Sequence, residues 1–134
     1  MSIPKPVFAT QLVARVVFVI ELVLGVLLWT GGADSVRPFH IAVGVVLVID
    51  LWVASALGIR RGAPVPLVAL AIVWSLGMPA LGLVQESILP GSAHVVIQVL
   101  HLLVGVIGVG LVEGLARSPG RGYHRDLQAE QRRN

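Results

Sequence analysis

The 134-residue chain contains no cysteine, and only 13% of its residues are charged. The missing cysteine excludes disulfide bonds, thiolate metal sites and cysteine nucleophiles. So few charged side chains cannot cover a soluble domain of this size. Because 56% of the residues are apolar and the mean hydropathy is +0.90, the composition predicts a single integral membrane domain.

Aromatic residues are also scarce, at 5% of the chain. The net charge of +3 therefore does not come with the aromatic residues of a nucleic-acid-binding face. The basic residues instead stand beside apolar runs, where they act as topology signals. We expect the lipid bilayer, and no nucleic acid, as the partner of this chain.

Four apolar segments are long enough to cross about 30 Å of hydrocarbon, which takes roughly 20 helical residues. Short connections with glycine, proline and polar residues separate them, so neighbouring helices are expected to be antiparallel. The sequence thus predicts an all-α fold, an up-down-up-down bundle of four transmembrane helices at residues 10–29, 38–57, 65–84 and 93–116.

Lysine and arginine are distributed unequally between the two ends of these spans. Nine of them lie on the side that holds both termini, and only Arg37 lies on the other. Because positively charged flanks stay in the cytoplasm, we expect a multi-pass protein of the inner (plasma) membrane with both termini cytoplasmic. Residues 1–117 are predicted to form the membrane domain, and residues 118–134 a polar cytoplasmic tail.

Several polar side chains fall inside the predicted spans, where ionisable groups are costly and by default indicate a functional site. Helical geometry sorts them into faces, at about 100° per residue. The second helix has one face with His40, Gly44, Leu47 and Leu51, with Asp50 near its edge. The fourth helix has a stripe that contains His94, Gln98, His101, Gly105, Gly108 and Val112.

The two histidine faces are similar in sequence. Residues 40–48, HIAVGVVLV, match residues 101–109, HLLVGVIGV, at five of nine positions, including the histidine and the glycine. This similarity favours a repeat of two helical hairpins related by a pseudo-two-fold axis. The second and fourth helices would then lie on the diagonal of the bundle, where facing side chains can hold a cofactor. Gly44 and Gly105 would leave room for the edge of a macrocycle.

This layout, with its two His-x-x-x-Gly stretches, resembles the membrane-embedded b-type cytochromes and, more loosely, the four-helix halves of haem A synthase. The resemblance implies one haem b per chain, held by two histidines, and electron transfer. It implies His40 and His101 as the ligands, with His94 as the competing ligand.

The depth of each histidine in the membrane bears on this choice. Counted from Arg60 and Arg117 at about 1.5 Å per residue, His40 lies about 30 Å up, His101 about 24 Å and His94 about 34 Å. The repeat favours His101 as the partner of His40. His94 would then lie near the outer rim with Arg37, where both could meet haem propionates.

Two carboxylates, Glu21 and Asp50, are expected to form a separate feature about 10 and 15 Å above the cytoplasmic boundary. Two such groups in a low dielectric do not both ionise readily, so one should be protonated or paired with a cation. They are candidates for a proton or ion relay, or for hydrogen bonds between helices. Glu113 is expected to reach water at the inner interface, with no special role.

Three functions remain open at this stage. The first is a haem-binding redox protein near the outer face, and no residue identifies a reaction that it would catalyse. The second is a small proton-coupled transporter or channel that uses Glu21 and Asp50, and that forms an oligomer because four helices enclose little space. The third is an accessory membrane subunit that packs on a partner through Gly105, Gly108 and Gly110.

Overall fold

The structure is a computed structural model that describes residues 4–31 and 34–118. The predicted tail, residues 118–134, lies outside the described residues except for Ser118. Four long helices account for most of the described chain: α1 (Lys5–Trp29), α2 (Arg37–Arg61), α3 (Val65–Val84) and α4 (His94–Arg117). Short 3-10 turns at Asp34–Val36, Gln85–Ser87 and Gly91–Ala93 complete the connections.

The all-α, four-helix prediction is confirmed, and each helix is long and apolar enough to cross a membrane. The limits of α3 are as predicted, and α4 differs by one residue at each end. However, α1 begins at Lys5 rather than residue 10, and α2 continues to Arg61 rather than residue 57. These extra turns carry polar and basic residues, because a helix can extend past the hydrocarbon into the polar interface.

Each helix packs against the next along the chain, and α1 also packs against α4. Across the bundle, α2 contacts α4 directly, so these two helices form the diagonal and α1 and α3 flank it. The α1–α2 and α3–α4 connections lie at one end of the bundle, here named the Arg37 end. The α2–α3 connection, the start of α1 and the end of α4 lie at the other, here named the Arg60 end.

The Arg60 end is densely packed. Its core contains Leu51, Val112 and Leu115, which are at most 1% exposed. The turn between α2 and α3 is tight: Gly62 takes φ of 87° at the end of α2, and Ala63 N–H donates to Gly58 O at 2.9 Å. This compact end leaves the Arg37 end as the place where the bundle can hold a ligand.

Polar contacts between helices also tie the Arg60 end together. The Arg61 guanidinium donates to the carbonyl oxygens of Ala116 and Ser118 at 2.8 and 3.3 Å. Glu113 of α4 accepts hydrogen bonds from Gln11 and Arg15 of α1, both at 2.7 Å. The expectation that Glu113 has no special role is therefore wrong, because this carboxylate joins α1 to α4.

Candidate site between four helices at the Arg37 end

A cavity of about 630 Å³ occupies the half of the bundle nearer the Arg37 end. All four helices line it, and most of its surface is apolar. In α2 its lining extends down to Val48, and in α4 to Gly105. Beyond these residues the core around Leu51 and Val112 fills the bundle. The cavity therefore reaches only part of the way through the described bundle.

His40 of α2 and His101 of α4 face each other in this cavity. The centroids of their imidazole rings are 6.0 Å apart, and the ring planes are inclined by 55°. The direct contact of α2 with α4 accounts for this proximity, because each helix carries its histidine on the face toward the diagonal. Counting residues along the helices puts His40 and His101 at depths that differ by about 6 Å. The two rings nevertheless lie close together in the structure.

Glu21 of α1 also reaches this pair. Its Oε2 lies 2.6 Å from Nδ1 of His40, and the two side chains are only 14% and 17% exposed. The contact is at ion-pair distance, although the ring N–H is not aligned with the oxygen as in a hydrogen bond. Glu21 therefore belongs to the histidine site.

The expected grouping of Glu21 with Asp50 is wrong. The depth of about 10 Å expected for Glu21 is too small, because α1 starts at Lys5 and includes Arg15, which forms an ion pair with Glu113 at 2.6 Å. Counted from Lys5, Glu21 lies about 24 Å along the helix, at the level of the histidines. Asp50 lies about 3 Å along α2 beyond Val48, where the cavity lining ends, and about 15 Å along the same helix from His40.

Asp50 is a separate feature of the packed half. It is 6% exposed, and its Oδ2 has no hydrogen-bond partner among the described residues. It does not line the cavity. The two relay candidates therefore lie at different places in the bundle, with Glu21 in the site and Asp50 in the core.

Four glycines line the site, one from each helix, and three of them lie against its polar side chains. A Cβ atom at Gly25 would lie 3.8 Å from Cε1 of His40, and one at Gly82 would lie 3.4 Å from Cε1 of His101. A Cβ atom at Gly44 would lie 3.9 Å from the Glu21 carboxylate. The remaining glycine, Gly105, faces the ring of Phe18 instead.

Charged and polar groups surround the mouth of the cavity. Arg37 forms an ion pair with Glu86, and its Nη2 lies 3.4 Å from the Asp34 carboxylate. His94 lies at this rim with Nδ1 3.2 Å from the carbonyl oxygen of Ile88. Gln98 lines the cavity between His94 and His101.

The structure thus brings together most of the residues that the sequence singles out. His40, His101, His94, Gln98, Arg37, Gly44, Gly105 and Glu21 all line the cavity. Among the described residues, no group of three or more His, Cys, Asp or Glu side chains is arranged to hold a metal ion. The described residues thus provide the His40–His101 pair but no complete set of protein ligands for a metal ion.

No protein-family model, curated protein or solved structure matches this chain. The geometry of the site and the chemistry of its residues are therefore what indicates its function.

Sequence reasoning missed Gly25 and Gly82, the glycines of the flanking helices. A glycine in the middle of a helix costs up to about 1 kcal/mol relative to alanine, so its presence there is itself a signal of close packing. Gly25 follows Glu21 by one helical turn, as Gly44 follows His40. A search of α1 and α2 for a polar residue followed four positions later by glycine would have identified Gly25.

Proposed function

We propose that this chain is a membrane haem protein in which His40 and His101 bind the iron of one haem b from opposite sides. The observation that carries the proposal is the pair of imidazole rings, 6.0 Å apart on the diagonal helices of the bundle. Imidazole nitrogens bind transition metals at about 2 Å, so two histidines on opposite sides of one ion have ring centroids about 6 Å apart.

The surroundings of the rings support a macrocycle rather than a bare ion. Two histidines leave four coordination positions of an octahedral iron unfilled, and a porphyrin supplies four nitrogens in one plane. The cavity of about 630 Å³ is of the size that holds organic ligands and cofactors, which is about 300–1,000 Å³. Its apolar lining would exclude water from the macrocycle.

A bound haem would supply one-electron oxidation and reduction, and the protein residues would hold it and set its environment. His40 and His101 would fix its position through their ring nitrogens. At the mouth, Arg37 and His94 offer positive or hydrogen-bonding groups to carboxylates at the edge of a macrocycle. We therefore propose electron transfer at the Arg37 end of the bundle.

The transporter alternative receives less support from the same geometry. A proton or ion path needs polar groups in sequence across the membrane, and the cavity ends above the packed residues Leu51, Val112 and Leu115. Glu21 contacts His40, whereas Asp50 lies outside the cavity lining. Within the described residues, these carboxylates do not form a continuous path.

The haem proposal is tested by an absorption spectrum of the full-length protein, purified in detergent and titrated with hemin. We expect a Soret band for the wild type that is lost or strongly weakened in His40→Ala and in His101→Ala. His94→Ala is the matched control, and it should keep the band because its ring lies at the rim. A wild-type protein that takes up no haem would refute the proposal, and so would equal spectra for all three variants.

We also propose that the Arg37 end faces away from the cytoplasm, in the inner (plasma) membrane. The support is the distribution of the ten Lys and Arg residues: nine lie on the other side of the predicted spans, and Arg37 alone lies on this side. Because the chain has no cysteine, a single introduced cysteine is the one thiol that a maleimide can label, and its labelling reports the accessibility of that position. A membrane-impermeant maleimide should label Ser35→Cys in intact cells and Val65→Cys only after permeabilisation. The reverse pattern would overturn the orientation.

A further inference from the structure

The site contains a buried carboxylate that the proposed haem site does not require. Glu21 is 14% exposed and lies 2.6 Å from His40, while its second oxygen, Oε1, has no hydrogen-bond partner among the described residues. Arg37, the guanidinium at the mouth, pairs with Glu86 and Asp34 rather than with Glu21. A buried carboxylate is costly unless it interacts with a specific group. Here the group that it contacts is the imidazole of His40.

The packing of α1 against α2 holds this contact in place from both sides. The two helices are antiparallel, and each carries a polar residue followed four positions later by glycine. Glu21 of α1 lies over Gly44 of α2, and His40 of α2 lies over Gly25 of α1. Each polar side chain therefore occupies the space that the glycine of the other helix leaves free. This reciprocal arrangement brings the carboxylate and the ring together within the helix interface.

A neutral imidazole has one nitrogen that carries a proton and one that can bind a metal. Which nitrogen is which depends on the partner of the protonated one, and metal-binding histidines commonly direct that N–H to a carboxylate. Nδ1 of His40 is the nitrogen next to Glu21. The terminal torsion of a histidine ring is broad, so a modest rotation would align Nδ1–H with the oxygen.

We propose that Glu21 is a positioning residue that keeps the proton of His40 on Nδ1 and leaves Nε2 free toward the cavity. The inference rests on the proposed function only for the identity of the group that Nε2 binds. It also makes the two histidines unequal. Nδ1 of His101 is buried with neither a hydrogen bond nor a carboxylate contact among the described residues, whereas Nδ1 of His40 has the Glu21 carboxylate beside it.

The first test needs no haem. Full-length protein labelled with 15N-histidine is examined by NMR in detergent, at a pH where free imidazole is neutral, and His40 is assigned by its absence in His40→Gln. We expect Nδ1 protonated and Nε2 bare in the wild type and in Glu21→Gln, because the amide oxygen can also accept. Glu21→Ala should shift the ring toward the Nε2–H form.

The control is Asp50→Asn, which neutralises a buried carboxylate of the same membrane domain that does not contact His40. It should leave the His40 signals unchanged. A wild-type ring with its proton on Nε2, or with protons on both nitrogens, would overturn the inference. The inference would also be overturned if His40 kept its proton on Nδ1 in Glu21→Ala, because the carboxylate would then not be what holds the proton there.

The second test uses hemin titration. We expect Glu21→Ala to bind hemin about 10- to 100-fold more weakly than the wild type, as is typical for the loss of a group that orients a metal ligand. Glu21→Gln should recover much of this affinity, and Asp50→Asn should match the wild type. Equal affinities for Glu21→Ala and the wild type would contradict the positioning role of Glu21 and would leave the haem proposal unaffected. A wild type that binds no hemin would refute the haem proposal and leave the NMR result to decide this one.

Discussion

The glycines beside the two histidines allow a graded test of the site, because the space next to each is different. A methyl group at Gly82 would lie 3.4 Å from Cε1 of His101, and one at Gly25 would lie 3.8 Å from Cε1 of His40. At Gly77, an exposed position of α3, a Cβ atom would meet nothing within 4 Å. The optimal separation of carbon atoms is about 3.5–4.0 Å, so the methyl group of Gly82→Ala would press slightly on the His101 ring, whereas that of Gly25→Ala would make an ordinary contact with His40.

The expected magnitude follows from the cost of that displacement. A side chain turned about 30° from its preferred rotamer costs about 0.5–1.5 kcal/mol, which corresponds to roughly 2- to 12-fold in affinity. We therefore expect Gly82→Ala to weaken hemin binding by this factor. Gly25→Ala should stay within about twofold of the wild type, and Gly77→Ala should not change binding.

Stability and affinity should separate in this series. Alanine in place of a mid-helix glycine favours the helix by up to about 1 kcal/mol, and this gain does not depend on the site. Thermal unfolding of the haem-free protein in detergent would check that all three variants fold at least as well as the wild type. If Gly77→Ala lost as much affinity as Gly82→Ala, or if Gly82→Ala lost none, the proposed packing of Gly82 against His101 would be refuted.

Three further predictions concern the bundle, each measured as the free energy of unfolding in detergent. Ser75→Ala should cost about 0.6–1.7 kcal/mol, because fully buried Ser75 accepts a hydrogen bond of 2.7 Å from Trp52 Nε1; Ser87→Ala, at an exposed turn, is the control. Glu113→Gln should cost at most about 1 kcal/mol and less at high salt, because Arg15 is 58% exposed. Asp50→Asn should not destabilise the protein, because a neutral amide is cheaper to bury than a carboxylate without a partner. A loss larger than about 2 kcal/mol would indicate an ionised, paired Asp50.

Part of the site could be predicted from the sequence, because it depends on the helical period. The stripe with His94, Gln98 and His101, and the face with His40 and Gly44, follow from the repeat of 3.6 residues per turn. The short connections then require the second and fourth helices to be parallel, and the sequential up-down-up-down order puts these two helices on the diagonal. No knowledge of side-chain packing is needed for that step.

The role of Glu21 could not be predicted in this way. Its depth in the membrane depends on where α1 begins, and α1 begins at Lys5 rather than at residue 10, where the first span was predicted to start. The flanking glycines Gly25 and Gly82 were missed for a related reason. Their importance lies in what faces them across a helix interface, and a single sequence does not give interhelical distances.

The sequence by itself determined the four apolar spans, their antiparallel order and the placement of the histidines on two helix faces, since these follow from hydropathy, connection length and helical period. Only the tertiary structure decided that His40 lies beside His101, that Glu21 joins them and that Asp50 does not. Those relationships depend on how far each helix is shifted along its axis and turned about it. Shift and rotation are fixed by side chains that pack between helices, among them the glycines that let the site form.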